Sequence, residues 1–337
     1  MKRFLLLAAV AVATLFTACH NDDISIRKDT TFRVNLATII EPFTYEVKEG
    51  ELKTPFWDDV RVRLLIYNTK NVLLASYTNY ADTYEAVVDY SVPLDQGEYR
   101  VVVIADQVKR SGNEITKEFW KLENEDKLHN MSLTDTDKYY PFRCALLGLK
   151  SYDLIVDNLT EQLVKIDVEP AGSLSVVYLN NYNKYSDVKN ICFRSKVVGK
   201  SVLFEENGSI NFPTSTGEAS RTNVLFVTEP DPKYSAEYTY IFMLPIGESN
   251  CDFYIILESE ETVQLDLPVN FKKGDEWYFL LDFDNEDTGE MVYSATLVNG
   301  DSRCGNSVKI DSKNLKMESS AVKTTNEAGA YKVIDLL

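Results

Sequence analysis

The chain has 337 residues, enough for about two ordinary domains, each able to bury a full core. It carries 52 acidic against 35 basic side chains, a formal charge of −17. No basic cluster follows the first residues, so phosphate backbones are repelled and nucleic acid is excluded as a partner.

Lys2 and Arg3 form a short basic start, and the apolar run from Phe4 to Phe16 is too short to span a bilayer of about 30 Å as a helix. This is the pattern of a signal peptide. The small residues Thr17 and Ala18 stand directly before Cys19, and the segment resembles the lipobox of bacterial lipoproteins. That resemblance implies cleavage between Ala18 and Cys19 and a diacylglycerol on the Cys19 sulfur, with Phe16 standing where leucine is usual. Several acyl chains, each contributing about 0.8 kcal/mol per buried CH₂, hold a protein stably on a membrane. His20, Asn21, Asp22 and Asp23 follow; the run is similar to the acidic export tag of Bacteroidota surface lipoproteins and implies the outer membrane, facing the cell surface. No later stretch approaches 18 consecutive apolar residues, so nothing beyond the signal is expected to cross a membrane as a helix.

Residues 19–30 are polar and read as an acidic tether. Alternation then begins: Phe32, Val34, Leu36 and Ile40 share one face, and Val60, Val62, Leu64 and Ile66 repeat the pattern with Arg61 and Arg63 opposed. Both are expected as half-buried strands, with the arginines on the open face. Further strands are predicted from Val72 to Tyr77, Tyr84 to Val92 and Glu98 to Ala105, the last two joined by a turn at Pro93 to Gly97. Short strands at this spacing make a sandwich or barrel. Ile115, Phe119 and Leu122 recur at helical spacing and predict a short helix or a decorated loop. A second strand-rich series runs from Gln162 to Val298. The predicted division is a signal peptide at 1–18, a tether at 19–30, an N-terminal β-sandwich at 31–160, a C-terminal β-sandwich at 161–300 and a tail at 301–337 with a terminal strand at Ala330 to Leu337.

Catalytic chemistry lacks its minimum kit. The two histidines, His20 and His129, have no nucleophile partner in the sequence, and there is no G-x-S-x-G elbow, phosphate-binding glycine loop, Cys-x-x-Cys pair or His-Glu-x-x-His. A glycosidase pair of carboxylates leaves no local signature and has no positive support. The reading is a protein that is not an enzyme and needs no cofactor beyond the lipid on Cys19. Asp282, Asp284 and Glu286 place oxygen ligands at alternate positions, as calcium loops do, but Asp287 stands where such a loop needs glycine. An acidic hairpin turn is therefore preferred to a metal site. Tyr178, Tyr182 and Tyr185, interspersed with asparagines, form the candidate exposed binding patch. Cys144, Cys192, Cys251 and Cys304 allow three pairings, and sequence does not choose among them.

The acidic lipoprotein start, the run Val60 to Tyr67, the turn and strand Pro93 to Asp106 and the late segment Lys272 to Phe283 together resemble the lipid-anchored minor fimbrial subunits of Bacteroidota, the anchor proteins of type V pili. The likeness spans most of residues 19–300, and Asp106 departs from the asparagine usual at its position. The resemblance implies an all-β chain of two tandem transthyretin-like β-sandwich domains. It also implies that the chain anchors a cell-surface fimbria or regulates its assembly, its partners being the fimbrial structural subunits, joined by strand addition. Stalk subunits of the family are cut after an arginine; here no arginine lies between Arg33 and Arg61, so the strand from Thr31 to Ile40 is expected to stay. The alternative is a surface glycan-binding lipoprotein of a nutrient-uptake system.

Overall fold

A computed structural model describes residues 28–43, 59–135, 146–157, 161–196, 200–202, 204, 220–227, 238–243, 247–311 and 314–317. Among them the chain is all-β, with helix confined to short 3-10 turns, and no helix is long and apolar enough to cross a membrane. The first eleven strands are β1 (Lys28–Asn35), β2 (Asp59–Asn68), β3 (Leu73–Ala81), β4 (Val87–Leu94), β5 (Gly97–Ser111), β6 (Glu114–Glu118), β7 (Trp120–Glu123), β8 (Ser132–Asp135), β9 (Leu147–Val156), β10 (Gln162–Asp167) and β11 (Glu169–Pro170). There follow β12 (Ser173–Asn180), β13 (Val188–Lys196), β14 (Lys200–Val202), β15 (Ser220–Val227), β16 (Tyr238–Met243), β17 (Gly247–Leu257), β18 (Thr262–Phe271), β19 (Glu276–Asp282), β20 (Met291–Leu297) and β21 (Arg303–Val308). The small hairpin of β22 (Ile310–Asp311) and β23 (Asn314–Met317) comes last among them.

In the first sandwich a sheet ordered β10-β1-β4 faces one ordered β11-β9-β5-β2-β3, with β6 added along β5. Phe32 and Val34 on β1, Val88, Tyr90 and Val92 on β4, and Val164 and Ile166 on β10 alternate inward as the period-two pattern requires. The Tyr90 hydroxyl donates to the Val62 carbonyl at 2.8 Å, pinning one sheet to the other. In the second sandwich β16-β12-β19-β20-β21 faces β15-β13-β17-β18. Phe193 meets Phe279 there at 4.7 Å and Phe253 at 5.5 Å between ring centres, and the core is aromatic. The two sandwiches share a topological device. An early strand lies between one antiparallel neighbour and one parallel neighbour distant in sequence, β1 between β4 and β10, and β12 between β16 and β19.

Several expectations are corrected. Gln162 to Asp167, placed by sequence at the head of the second sandwich, is β10 and pairs with β1 in the first, in register from Thr30↔Gln162 to Asn35↔Asp167. Alternating burial shows that a strand is half-buried, and it does not show which sheet it joins. The first hydrophobic core accordingly takes in Val164, Ile166, Val168 and Ala171, and reaches Leu174 and Val176 on β12. At the other end, β21 pairs with β20 and carries the second sandwich to Val308, into the segment assigned to the tail. Lys28 to Thr30, assigned to the tether, belong to β1. The segment around Ile115 to Leu122, predicted as a short helix or a decorated loop, is two strands, β6 and β7, followed by the 3-10 turn Leu128–Asn130. The long β5 turns at Gly112, whose φ of +63° suits glycine, and its free ladder captures β6.

That excursion covers the outer face of the larger sheet and overturns the solvent-facing assignment of Arg61 and Arg63. Residues paired directly across antiparallel strands share a face, so Arg61, Arg63, Leu65 and Tyr67 lie together with Asp106, Ile104 and Val102. Phe119, Trp120, Leu128, Met131 and Leu133 pack into the same buried cluster. β2 is therefore buried on both faces. β14 comes from the second half of the chain and pairs with β8, and the nearby Phe204 is buried in the first core. β14, within the series expected to form the second sandwich, thus ties the two halves together.

Candidate functional site

β1 is seated in the middle of its sheet, between β4 and β10. Eight register pairs, from Lys28↔Leu94 to Asn35↔Val87, join β1 to β4, and six join it to β10. Thr30, Phe32 and Val34 point inward and are buried; fully burying an apolar side chain of this size stabilises by about 1.5–3 kcal/mol. On the outer face the Arg33 guanidinium donates to both Asp89 oxygens at 3.0 and 2.8 Å, Asn35 donates to Asp167 at 3.0 Å and the Ser91 hydroxyl donates to Asp29 at 2.7 Å. Side chains thus fix the register that the backbone ladder holds. Beyond β1 the chain turns through Ala37–Ile39, where the Thr38 hydroxyl donates to the Val168 carbonyl at 2.7 Å. Without β1, the apolar positions of β4 and β10 would border an open groove with unpaired backbone groups on both walls.

The tyrosine patch and the acidic turn, read separately in the sequence, are brought to one end of the second sandwich because β12 and β19 run parallel with Asn180 beside Asp282. Asn181, in the left-handed region at φ +58°, donates through its side-chain amide to Asp282 Oδ1 at 2.9 Å and to the Asp284 carbonyl at 3.2 Å. Lys184 pairs with Asp284 at 3.0 Å, and the Tyr185 hydroxyl donates to the Phe283 carbonyl at 3.2 Å. The carboxylates serve as internal acceptors, and no group of three acidic, histidine or cysteine side chains that could hold a metal ion occurs among the described residues. The tyrosines are half-buried rather than exposed. Tyr182 and Tyr185 pack against the second core, and Tyr178 stacks on Tyr278 at 6.5 Å between ring centres. Burial, with Asp284 and Asp187 nearby, raises the Tyr185 hydroxyl above its ordinary pKa.

The charged group that sequence reasoning missed lies under the excursion. Arg61 forks onto Asp106 at 3.0 and 2.7 Å, reaches Glu118 at 2.8 Å and donates to the Trp120 carbonyl at 3.1 Å. Burial disfavours its charge, but the Asp106 and Glu118 carboxylates outweigh that and hold its pKa above the usual value. For Arg63 burial prevails and the pKa is lowered; its contact with Asp106 is 3.6 Å. Asp106, a departure from the resembled family, is here the buried counter-ion. A signal was present: Val101 to Ala105 is apolar without alternation, the mark of a strand covered on both faces. Cys19, Ala18, Cys144 and Ala330 to Leu337 lie outside the described residues. Cys192, Cys251 and Cys304 are free thiols.

No family model matches the chain, and no curated protein matches it. Solved structures do. Polysaccharide binding candidates from Bacteroides thetaiotaomicron align with a TM-score of 0.50 at 9% identity, over 80% of this chain and 98% of theirs. A candidate adhesin from Bacteroides ovatus aligns at 0.48 and 11% identity, over 82% of this chain and 95% of its own. The tip fimbrial protein Mfa3 from Porphyromonas gingivalis aligns at 0.42 and 8% identity, over 83% and 99%. At these identities the likeness to the Bacteroides thetaiotaomicron structure is one of fold.

Proposed function

We propose that this chain is a lipid-anchored outer-membrane protein, facing the cell surface, that holds or regulates a fimbria through strand addition with its structural subunits, and that it performs no catalysis. The observation that carries the reading is β1, a first strand seated between β4 and β10 with both ladders satisfied. A subunit at the anchored end of a polymer needs no open groove on that side. The Cys19 motif supplies the fixed base, and the segments Val60 to Tyr67, Pro93 to Asp106 and Lys272 to Phe283 supply the resemblance to fimbrial anchor proteins. A glycan-binding role is the second reading, favoured by the fold shared with the Bacteroides thetaiotaomicron structure. The half-buried state of Tyr182 and Tyr185 counts against the tyrosine patch as its platform.

The test uses cells carrying the native chain, a Cys19→Ala variant and a deletion. The native protein should take up labelled palmitate, fractionate with outer membrane, keep β1 at its mature N-terminal end and co-purify with pilin, while deletion strips fimbriae from the surface. A mature N-terminus near residues 40–60, or retention on polysaccharide gels with fimbriae unaffected by deletion, overturns the reading.

A further inference from the structure

We propose that Cys251 and Cys304 are the pair that closes into a disulfide when this protein is oxidised, joining the two sheets of the second sandwich. Cys251 is fully buried on β17, in the inward row with Phe253, Ile255 and Leu257. Cys304 lies on β21 in the opposite sheet, opposite Ala295 on β20, and its row is also inward, because Val308, two alternations on, is buried in the same core. Both cysteines therefore approach one core from its two walls. Cys192 is excluded by parity: it sits between Ile191 and Phe193, which fill that core, and so occupies the other face of its sheet. Burial, with Asp252 and then Cys304 nearby, raises the Cys251 thiol well above its ordinary pKa.

The chemistry balances with a thiol–disulfide oxidant. Cys304, partly exposed, is the sulfur such an oxidant reaches first, forming a mixed disulfide as its S–H proton is lost; the buried Cys251 then gives up its proton and attacks the Cys304 sulfur as thiolate, releasing the second oxidant thiol. One S–S bond forms in the protein, two S–H bonds are broken, and the oxidant's disulfide leaves as two thiols. Burial pushes Cys304 up to about 11, so the exchange is slow at neutral pH without a catalyst. Among the described residues β21 is an edge strand, paired with β20. The bridge would tie this edge to β17 and keep the sandwich from peeling open under tension.

In cells the inference rests on the proposed export for its oxidant, so the experiment has two arms. The purified full chain is incubated with oxidised glutathione, denatured, alkylated and mapped by mass spectrometry; in parallel the chain is alkylated directly on cell lysis. The expected result in the first arm is a linked peptide containing both cysteines, a loss of two titratable thiols and a raised melting temperature. All three should persist in Cys192→Ser and vanish in Cys304→Ser. Cys304→Ser also covers the case in which Cys251→Ser does not fold. Absence of the linked peptide in the folded native chain, or a bridge from Cys251 to another cysteine, overturns the pairing. A pair that links with glutathione but is reduced in the cell sample supports the pairing and counts against export.

Discussion

Arg61 on β2 and Asp106 on β5 are joined by two parallel hydrogen bonds of 3.0 and 2.7 Å on a sheet face that the β6 to β8 excursion removes from water. Asp106→Ala would leave Arg61 with Glu118 alone among the carboxylates of the described residues and deprive Arg63 of the carboxylate 3.6 Å away. Breaking one side of a buried pair costs about 3–5 kcal/mol, because the remaining charge stays desolvated. Urea unfolding should show that loss. Replacing the two partners together by apolar residues of similar volume should cost far less.

Gly148 on β9 marks a close approach of the larger sheet to the turn that follows β1. A β-carbon there would fall 2.8 Å from Ile39 Cγ1 and from Val168 Cγ1, both on buried side chains, and closer still to Ile39 Cδ1. Gly148→Ala is expected to destabilise by about 1–3 kcal/mol through overpacking, read as a fall in the denaturation midpoint with unchanged slope.

Phe32 contributes its whole side chain to the first core. Phe32→Ala should cost about 3–5 kcal/mol. Amide exchange adds a discriminating measurement. The β1 amides from Phe32 to Asn35, flanked by two strands, should exchange only by global opening, while the edge strand β3 exchanges through local opening.

The sequence made the all-β class legible, because alternation at Phe32 to Leu36 and Val60 to Ile66 is a direct image of the pleat. It could not show what covers the second face of a strand. Arg61 looks solvated in the sequence, and only the excursion carrying Trp120, some 60 residues away, makes it buried. Likewise Gln162 to Asp167 alternates correctly, yet its parallel partner β1 lies over 130 residues earlier, beyond the reach of any local pattern. The tyrosine loop and the acidic turn were each visible as polar punctuation. Their union through Asn181 and Asp282 depends on the parallel β12–β19 register alone.

The joint between the sandwiches supplies a prediction in pH. Glu169 on β11 receives hydrogen bonds from Lys150 on β9 and from Lys273, which lies just before β19 in the second sandwich. Burial alone would raise the Glu169 pKa, but the two ammonium groups outweigh it and hold the carboxyl below its ordinary range. A carboxylate depressed in the folded state stabilises fully above its unfolded pKa of about 4.3, and that contribution is lost as pH falls through the folded value. Glu169→Gln should therefore lower the melting temperature at pH 7, with the gap to the native chain closing as the pH is brought into the acid range below 4. Because Glu169 is partly exposed, added salt should narrow the same gap at neutral pH. Two contacts nearby, Gly274 N–H to the Gly172 carbonyl at 2.9 Å and the Asn299 side-chain amide to the Pro42 carbonyl at 3.4 Å, carry no charge. The two sandwiches should consequently remain docked in acid, with the joint loosened rather than opened. A gap that stays constant from pH 7 to pH 3 would show that Lys150 and Lys273 hold the Glu169 side chain by packing rather than by charge.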